Sequence, residues 1–310
     1  MKKLLMGWAI LALSCLLVSC ANDELAAVAA MDEKKEVTLT TRLDLGSRAA
    51  GKQAEMELFY TVYDAHTGAE VLKNSAGIAP ISFGEETSVT LTLELDRNKS
   101  YDIAFWAQAK GLQCYDLSDM KAIKLCYENY KGNDSLRDAY YGNLFGLQAD
   151  TRSSATVLLK SPFSKLEVLT TVEDVEAAAT IDIPVNQMDS SITVSGVAST
   201  FNALLGKAEG EAQVASLLPG AIPTAERTID GQEYRVLTSD YLLAFRQQPV
   251  EVEVSLSYVG MEKKPYVFAA GRTWLNRGEV NSLHGRFLTY PIEFDATVNG
   301  WEEENEEIAI

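Results

Sequence analysis

The sequence predicts an all-β protein made of two β-sandwich domains with a few short helices, and three observations carry that prediction. Apolar and polar residues alternate over many short stretches, the period of a strand with one face buried. Turn residues punctuate those stretches, and few segments carry a helical period. The chain has 310 residues, 47% hydrophobic and 23% charged, enough for two cores of roughly 150 residues each.

The first nineteen residues stand apart from that body. Lys2 and Lys3 precede an apolar run, Leu4 to Val18, that closes on Leu17-Val18-Ser19-Cys20. A basic start, a short apolar core and small residues describe a secretory signal. The run is shorter than the ~20 residues needed to cross a bilayer. A cysteine directly after the small residue looks like a bacterial lipobox, which implies removal of residues 1–19 and lipid on the Cys20 thiol. Residues 20–36 are charged at both ends and lack a repeating apolar face, so they read as a lipidated N-terminus and tether.

Residues 37–160 read as the first sandwich. Val37, Leu39, Thr41, Leu43 and Leu45 share one face of a strand. Gly46 to Lys52 is a loop, and Met56 to Tyr63 a strand closed by a turn at Asp64 to Gly68. Val89 to Leu95 and Tyr101 to Gln108, joined by Asp96-Arg97-Asn98-Lys99, form a hairpin. Strands at Ala122 to Glu128 and Ala155 to Leu159 follow. Pro162 cannot donate to a ladder, so the domain boundary is set between Lys160 and Ser164.

Residues 161–310 read as the second sandwich with an acidic tail. Its strands are expected at Leu166 to Thr170, Ile192 to Val197, Glu233 to Leu237, Val250 to Tyr258, Tyr266 to Ala269 and Val280 to Thr289. A last strand, with Phe294, Ala296 and Val298 alternating, reaches Trp301. Thr171-Val172-Glu173-Asp174 resembles a capping box opening a helix through Ala179, and Thr200 to Leu205 reads as one further helical turn. Glu302 to Glu307 carry too much charge to bury easily.

Charge and motifs exclude several classes. The net charge is −17, and loss of Lys2 and Lys3 takes it to −19. Such a chain is repelled by nucleic-acid phosphates and anionic head groups, so membrane attachment has to come from lipid. Cys15 leaves with the signal and Cys20 carries lipid. Cys114 and Cys126 then remain, either bridged in an oxidising compartment or as two unpaired thiols. His66 and His284 are far apart, no metal-ligand spacing occurs, and no cofactor is expected. Gly-x-Ser-x-Gly, His-Glu-x-x-His and phosphate-loop patterns are absent, so the expectation is not an enzyme.

Several segments together resemble the fimbrillin-like lipoproteins of the Bacteroidetes. They are Tyr101-Asp102-Ile103-Ala104-Phe105-Trp106-Ala107-Gln108, Arg137-Asp138-Ala139-Tyr140-Tyr141, Lys160-Ser161-Pro162-Phe163-Ser164-Lys165-Leu166, Tyr241-Leu242-Leu243-Ala244 and Asn276 to Thr289. Their order, with the lipobox, covers most of the chain. The resemblance implies two tandem transthyretin-like sandwiches, export to the outer membrane and display at the cell surface, with Asp23 and Glu24 similar to an export signal. It also implies that a cut after a loop arginine, here Arg48, can release the first strand and let a neighbouring fimbrial subunit donate one by β-augmentation. Arg48 read alone is a solvated loop residue.

The expectation is therefore a fimbrial or fimbria-like adhesion component, the alternative a non-polymerising glycan- or protein-binding surface lipoprotein. For the alternative, Tyr127, Tyr130, Tyr140 and Tyr141 surround a polar loop, Asn129 to Gly142, that can carry recognition of a host or bacterial surface ligand. Trp106, inside a strand, is expected in the core. Asn133, Asp134 and Asp138 do not match a calcium loop and read as turn residues.

Overall fold

The computed structural model describes residues 34–44, 55–74, 81–82, 88–245, 249–260, 262–289 and 293–299. The signal segment, Cys20, Arg48, Trp301 and the acidic tail lie outside the described residues. Strands dominate, as the alternation requires, and a single α-helix occurs among the described residues.

The first half carries β1 (Lys34–Leu43), β2 (Met56–Asp64), β3 (Glu70–Lys73), β4 (Ile81–Ser82), β5 (Ser88–Asp96), β6 (Ser100–Ala109), β7 (Tyr115–Asp116), β8 (Ile123–Leu125), β9 (Ala139–Gln148) and β10 (Ser154–Leu159). One sheet has the order β10-β1-β5, the other β3-β2-β6-β9 with β4 on β2. β1 runs antiparallel to β5 and parallel to β10. Its Val37, Leu39 and Leu43 are buried with Leu58, Val62, Ile103 and Phe105 of the facing sheet. Each such side chain taken from water stabilises by roughly 1.5–3 kcal/mol. β1 begins three residues before the alternation becomes legible, because Lys34, Lys35 and Glu36 already pair with Asp96, Leu95 and Glu94.

The second half carries β11 (Ser164–Thr171), α1 (Val172–Ala179), β12 (Met188–Asn202), β13 (Lys207–Ser216), β14 (Gly220–Ala221), β15 (Glu226–Ile229), β16 (Gln232–Leu242), β17 (Pro249–Tyr258), β18 (Tyr266–Trp274), β19 (Val280–Arg286) and β20 (Glu293–Asn299). Its sheets run β15-β16-β11-β19-β20 and β18-β17-β12-β8-β7, with β13 and β14 also on β12. β7 and β8 thus come from the first half of the chain: β8 ladders onto β12, Ile123 opposite Phe201, and β7 onto β8.

β6 joins the two cores. Its Ile103, Phe105 and Ala107 pack into the first-half core, while Ala104 and Trp106 pack into the second. A strand buried on both faces loses its polar alternation, which is why Ile103 to Ala107 reads as one apolar run. Trp106 is fully buried, edge-on to Tyr115 and Phe163 with ring centroids 5.2 and 6.4 Å away.

Two local expectations are corrected. Thr200 to Leu205 is not helical: Thr200, Phe201 and Asn202 end β12, paired with Glu209, Ala208 and Lys207. Asn202 then accepts the Leu205 N–H at 2.9 Å, closing a tight turn completed by Gly206 at φ +63. At α1, Thr171 caps Asp174 N–H at 3.2 Å as expected. The Asp174 carboxylate turns instead to the chain leaving β19, where Phe287 and Leu288 N–H donate at 2.9 and 2.8 Å.

Candidate functional site

Three of the four loop tyrosines, Tyr127, Tyr140 and Tyr141, are buried, and Tyr130 is half-buried. Tyr127 is buried, and its hydroxyl accepts the Leu243 N–H at 3.1 Å. Tyr130 donates to the Gln113 carbonyl at 2.6 Å. Tyr140 lies in the first-half core and donates to Asp138 Oδ2 at 3.0 Å. The Tyr141 ring meets Phe201 edge-on, centroids 4.8 Å apart. The Arg137 guanidinium, buried, sits 5.7 Å from the ring centroids of both Tyr127 and Tyr130. These rings fix the course of the loop and do not form an exposed stacking face.

Cys114 is buried and Cys126 exposed, both as free thiols. Burial pushes the Cys114 thiol up to about 11, which keeps it protonated. No group of three His, Cys, Asp or Glu residues that could hold a metal occurs among the described residues.

What the loop does form is the wall of a cavity. Asn133 takes φ +64, in the left-handed region that asparagine enters more readily than most side chains. Its N–H donates to Asp240 Oδ1 at 2.8 Å, its Oδ1 accepts the Ser239 N–H at 2.8 Å, and its Nδ2 donates to Ser190 Oγ at 2.9 Å. The loop is thereby pinned across β16 and β12. Gly132 and Gly220 make the approach feasible, since a Cβ on Gly220 would lie 2.1 Å from the Gly132 carbonyl oxygen.

The floor is one face of β15-β16-β11. Lys165 and Glu167 are two apart on β11, so both point the same way. Opposite them on β16 stand Tyr241 and Ser239, and Arg227 reaches in from β15. With Asn133 and Ser135 overhead, these residues line a cavity of about 170 Å³.

The electrostatics centre on Glu167, only 1% exposed. Its Oε1 accepts from Arg227 Nη2 at 2.8 Å, Lys165 Nζ at 3.0 Å and Ser239 Oγ at 3.3 Å, and its Oε2 from Arg227 Nε at 3.0 Å. Burial alone would raise this carboxyl, but the charges of Lys165 and Arg227 and the hydrogen bonds they give outweigh it and hold the group below its ordinary value. Beneath the loop, Asp240 goes the other way: burial raises it, against the hydrogen bonds from Thr238 and the Asn133 N–H. Such an arrangement suits binding of a small polar group, with two cations and one carboxylate presented on rigid strands. Sequence reading missed it, although a glutamate between Leu166 and Val168 in an apolar strand was a visible signal of a paired buried charge.

Comparison with known proteins adds a family and a fold. The family described as of unknown function (DUF6562) matches residues 29–308. Among curated proteins none matches. A candidate adhesin from Bacteroides thetaiotaomicron is similar in structure with a TM-score of 0.53 at 13% identity, covering 86% of this chain and 97% of that one. A candidate polysaccharide-binding protein from the same organism gives 0.49 at 16% identity, covering 86% and 96%. A fimbrial assembly protein from Parabacteroides distasonis gives 0.43 at 13% identity, covering 86% and 96%. The first of these likenesses shows a shared fold.

Proposed function

We propose that this chain, which belongs to the family of unknown function DUF6562, is a non-enzymatic, lipid-anchored surface protein of the outer membrane that serves as a fimbrial or fimbria-like adhesion component. The observation that carries this reading is the position of β1. It lies between β5 and β10 and bonds to both, between the lipobox cysteine Cys20 on one side and Arg48 on the other. A cut after Arg48 would free the anchor and this strand together. It would leave two unpaired strand edges and the pockets of Val37, Leu39 and Leu43, which a strand donated by a neighbouring subunit fits. The fold shared with a candidate adhesin agrees with the reading. Without the cut, the same chain stays tethered as an anchor.

Sequencing the mature N-terminus on cells tests the processing step. A protein beginning at Ala49 supports release of β1, and only a lipidated form beginning at Cys20 removes it. Electron microscopy of a deletion strain tests the wider reading, and unchanged filaments with unchanged adhesion would overturn it. A second reading, a surface lipoprotein that binds a glycan without polymerising, is favoured by the cavity at Glu167.

A further inference from the structure

The cavity beside Glu167 is built on the β15-β16-β11 strands, in a different sheet from β1. We infer that it is a subsite for a carboxylated sugar unit, such as a uronic acid residue of a glycan; the inference rests on the glycan-binding reading above and names its ligand class. Charge is the first reason. On a chain of net charge −17, this cavity is lined by two cations, Lys165 and Arg227, and one carboxylate, Glu167. Both Glu167 oxygens are already engaged by Arg227, Lys165 and Ser239. The Lys165 ammonium has three donors and gives one to Glu167. A bound carboxylate would take the remaining donors and balance the extra positive charge, which a neutral sugar cannot do.

Size and lining are the second. The cavity, about 170 Å³, holds several waters at ~30 Å³ each and is smaller than the ~300–1,000 Å³ of sites for drug-sized ligands. A single sugar ring is the matching scale. Ser135 offers a hydroxyl for ring hydroxyls, while Pro223 and Tyr241 offer apolar surface for ring C–H groups. A peptide C-terminus fits less well. Carboxylate capture of that kind uses a nest of free backbone N–H groups, and here the β11 and β16 backbones are paired with each other from Ser164–Leu242 to Thr171–Tyr234, with one register shift between Val168 and Leu169.

The test is a ligand-observed NMR titration of protein purified from cells expressing the full chain, with D-glucuronate, D-glucose and a tripeptide of free C-terminus. Glucuronate is expected to bind at least about tenfold more tightly than glucose or the tripeptide, with affinity falling as salt rises. Lys165→Met keeps the two-point Arg227–Glu167 pair, so it should still fold, at a melting temperature lowered by loss of the Lys165–Glu167 contact, and lose about tenfold in glucuronate affinity. Lys165→Arg should restore it, which separates charge from folding. Equal binding of glucuronate and glucose, equal binding of the tripeptide, or Lys165→Met with unchanged glucuronate affinity overturns the assignment. Binding of neutral glycans alone, indifferent to Lys165→Met, overturns the subsite and leaves glycan binding standing; no binding of any sugar removes both.

Discussion

Asp174, in the first turn of α1, accepts the Leu288 N–H at 2.8 Å, so the helix that follows β11 is clamped to the chain leaving β19, more than a hundred residues later. The same carboxylate takes Thr170 Oγ1 at 2.6 Å, Phe287 N–H at 2.9 Å, Thr289 N–H at 3.1 Å and the Thr289 hydroxyl. It is a fully buried acceptor for five donors.

Asp174→Asn removes the charge and supplies one acceptor oxygen where two served. A loss of about 2–4 kcal/mol is expected by urea denaturation at pH 7, since buried donors are left without partners. Burial would raise the Asp174 carboxyl, but the hydrogen bonds from Thr170, Thr289, Leu288 and Phe287 hold it below its ordinary value. An acid depressed in the folded state stabilises above its unfolded value, about 3.9, and that stability is lost as pH falls through the lower folded value. The wild type should weaken below about pH 4, with a flatter acid limb in the variant; equal melting of the two proteins at pH 7 would refute the clamp.

Asp240 predicts the opposite sign. Burial raises its carboxyl despite Thr238, the Asn133 N–H and the Arg137 charge. Its contribution is present below the unfolded value of about 3.9 and is lost as pH rises through the higher folded value. Asp240→Asn keeps an acceptor for Asn133 and a partner for Thr238, so stability at pH 7 should match or exceed wild type by up to about 1 kcal/mol. A large destabilisation there would show that the ionised form is the one the fold needs.

Gly220→Ala should cost about 1–3 kcal/mol or more. Its Cβ would meet the backbone oxygen of Gly132 at 2.1 Å, and neither strand nor loop can rotate away. The Gly132 N–H to Leu218 carbonyl bond, 2.7 Å, should weaken with it, seen as faster hydrogen exchange at Gly132. Unchanged exchange and stability would mean the loop is not held there.

The two thiols predict a labelling pattern. At pH 7.5 a maleimide should modify exposed Cys126 and spare Cys114, which burial keeps protonated with a value of about 11. Cys114 should react only after denaturation. If neither reacts in denaturant until a reductant is added, the pair is bridged.

Much of the fold was legible along the chain. Alternation located β1, β5, β6 and β17 to within a few residues, and Thr171 did open a helix. β9 was missed because Gly142, Asn143 and Gly146 break its pattern; pairing with β6 holds it as a strand. β13 was missed because it is a largely exposed, polar strand paired with β12. The tyrosine segment is a loop only as far as Asp138, since Tyr140 and Tyr141 already belong to β9, and periodicity could not say which way its rings turn; most of them turn inward.

The period of two, a local consequence of pleated geometry, is enough to mark this as a β-structured chain. The sequence also set the acidic charge and supplied the lipobox-like segment. Long-range pairing alone places β6 between two cores, carries β8 onto β12 with β7 outside it, and brings Lys165, Glu167 and Arg227 together under Asn133. Those choices depend on strand register and parallel or antiparallel pairing between residues as far apart as Asn133 and Asp240. Side-chain period within a strand carries no record of which distant strand lies beside it.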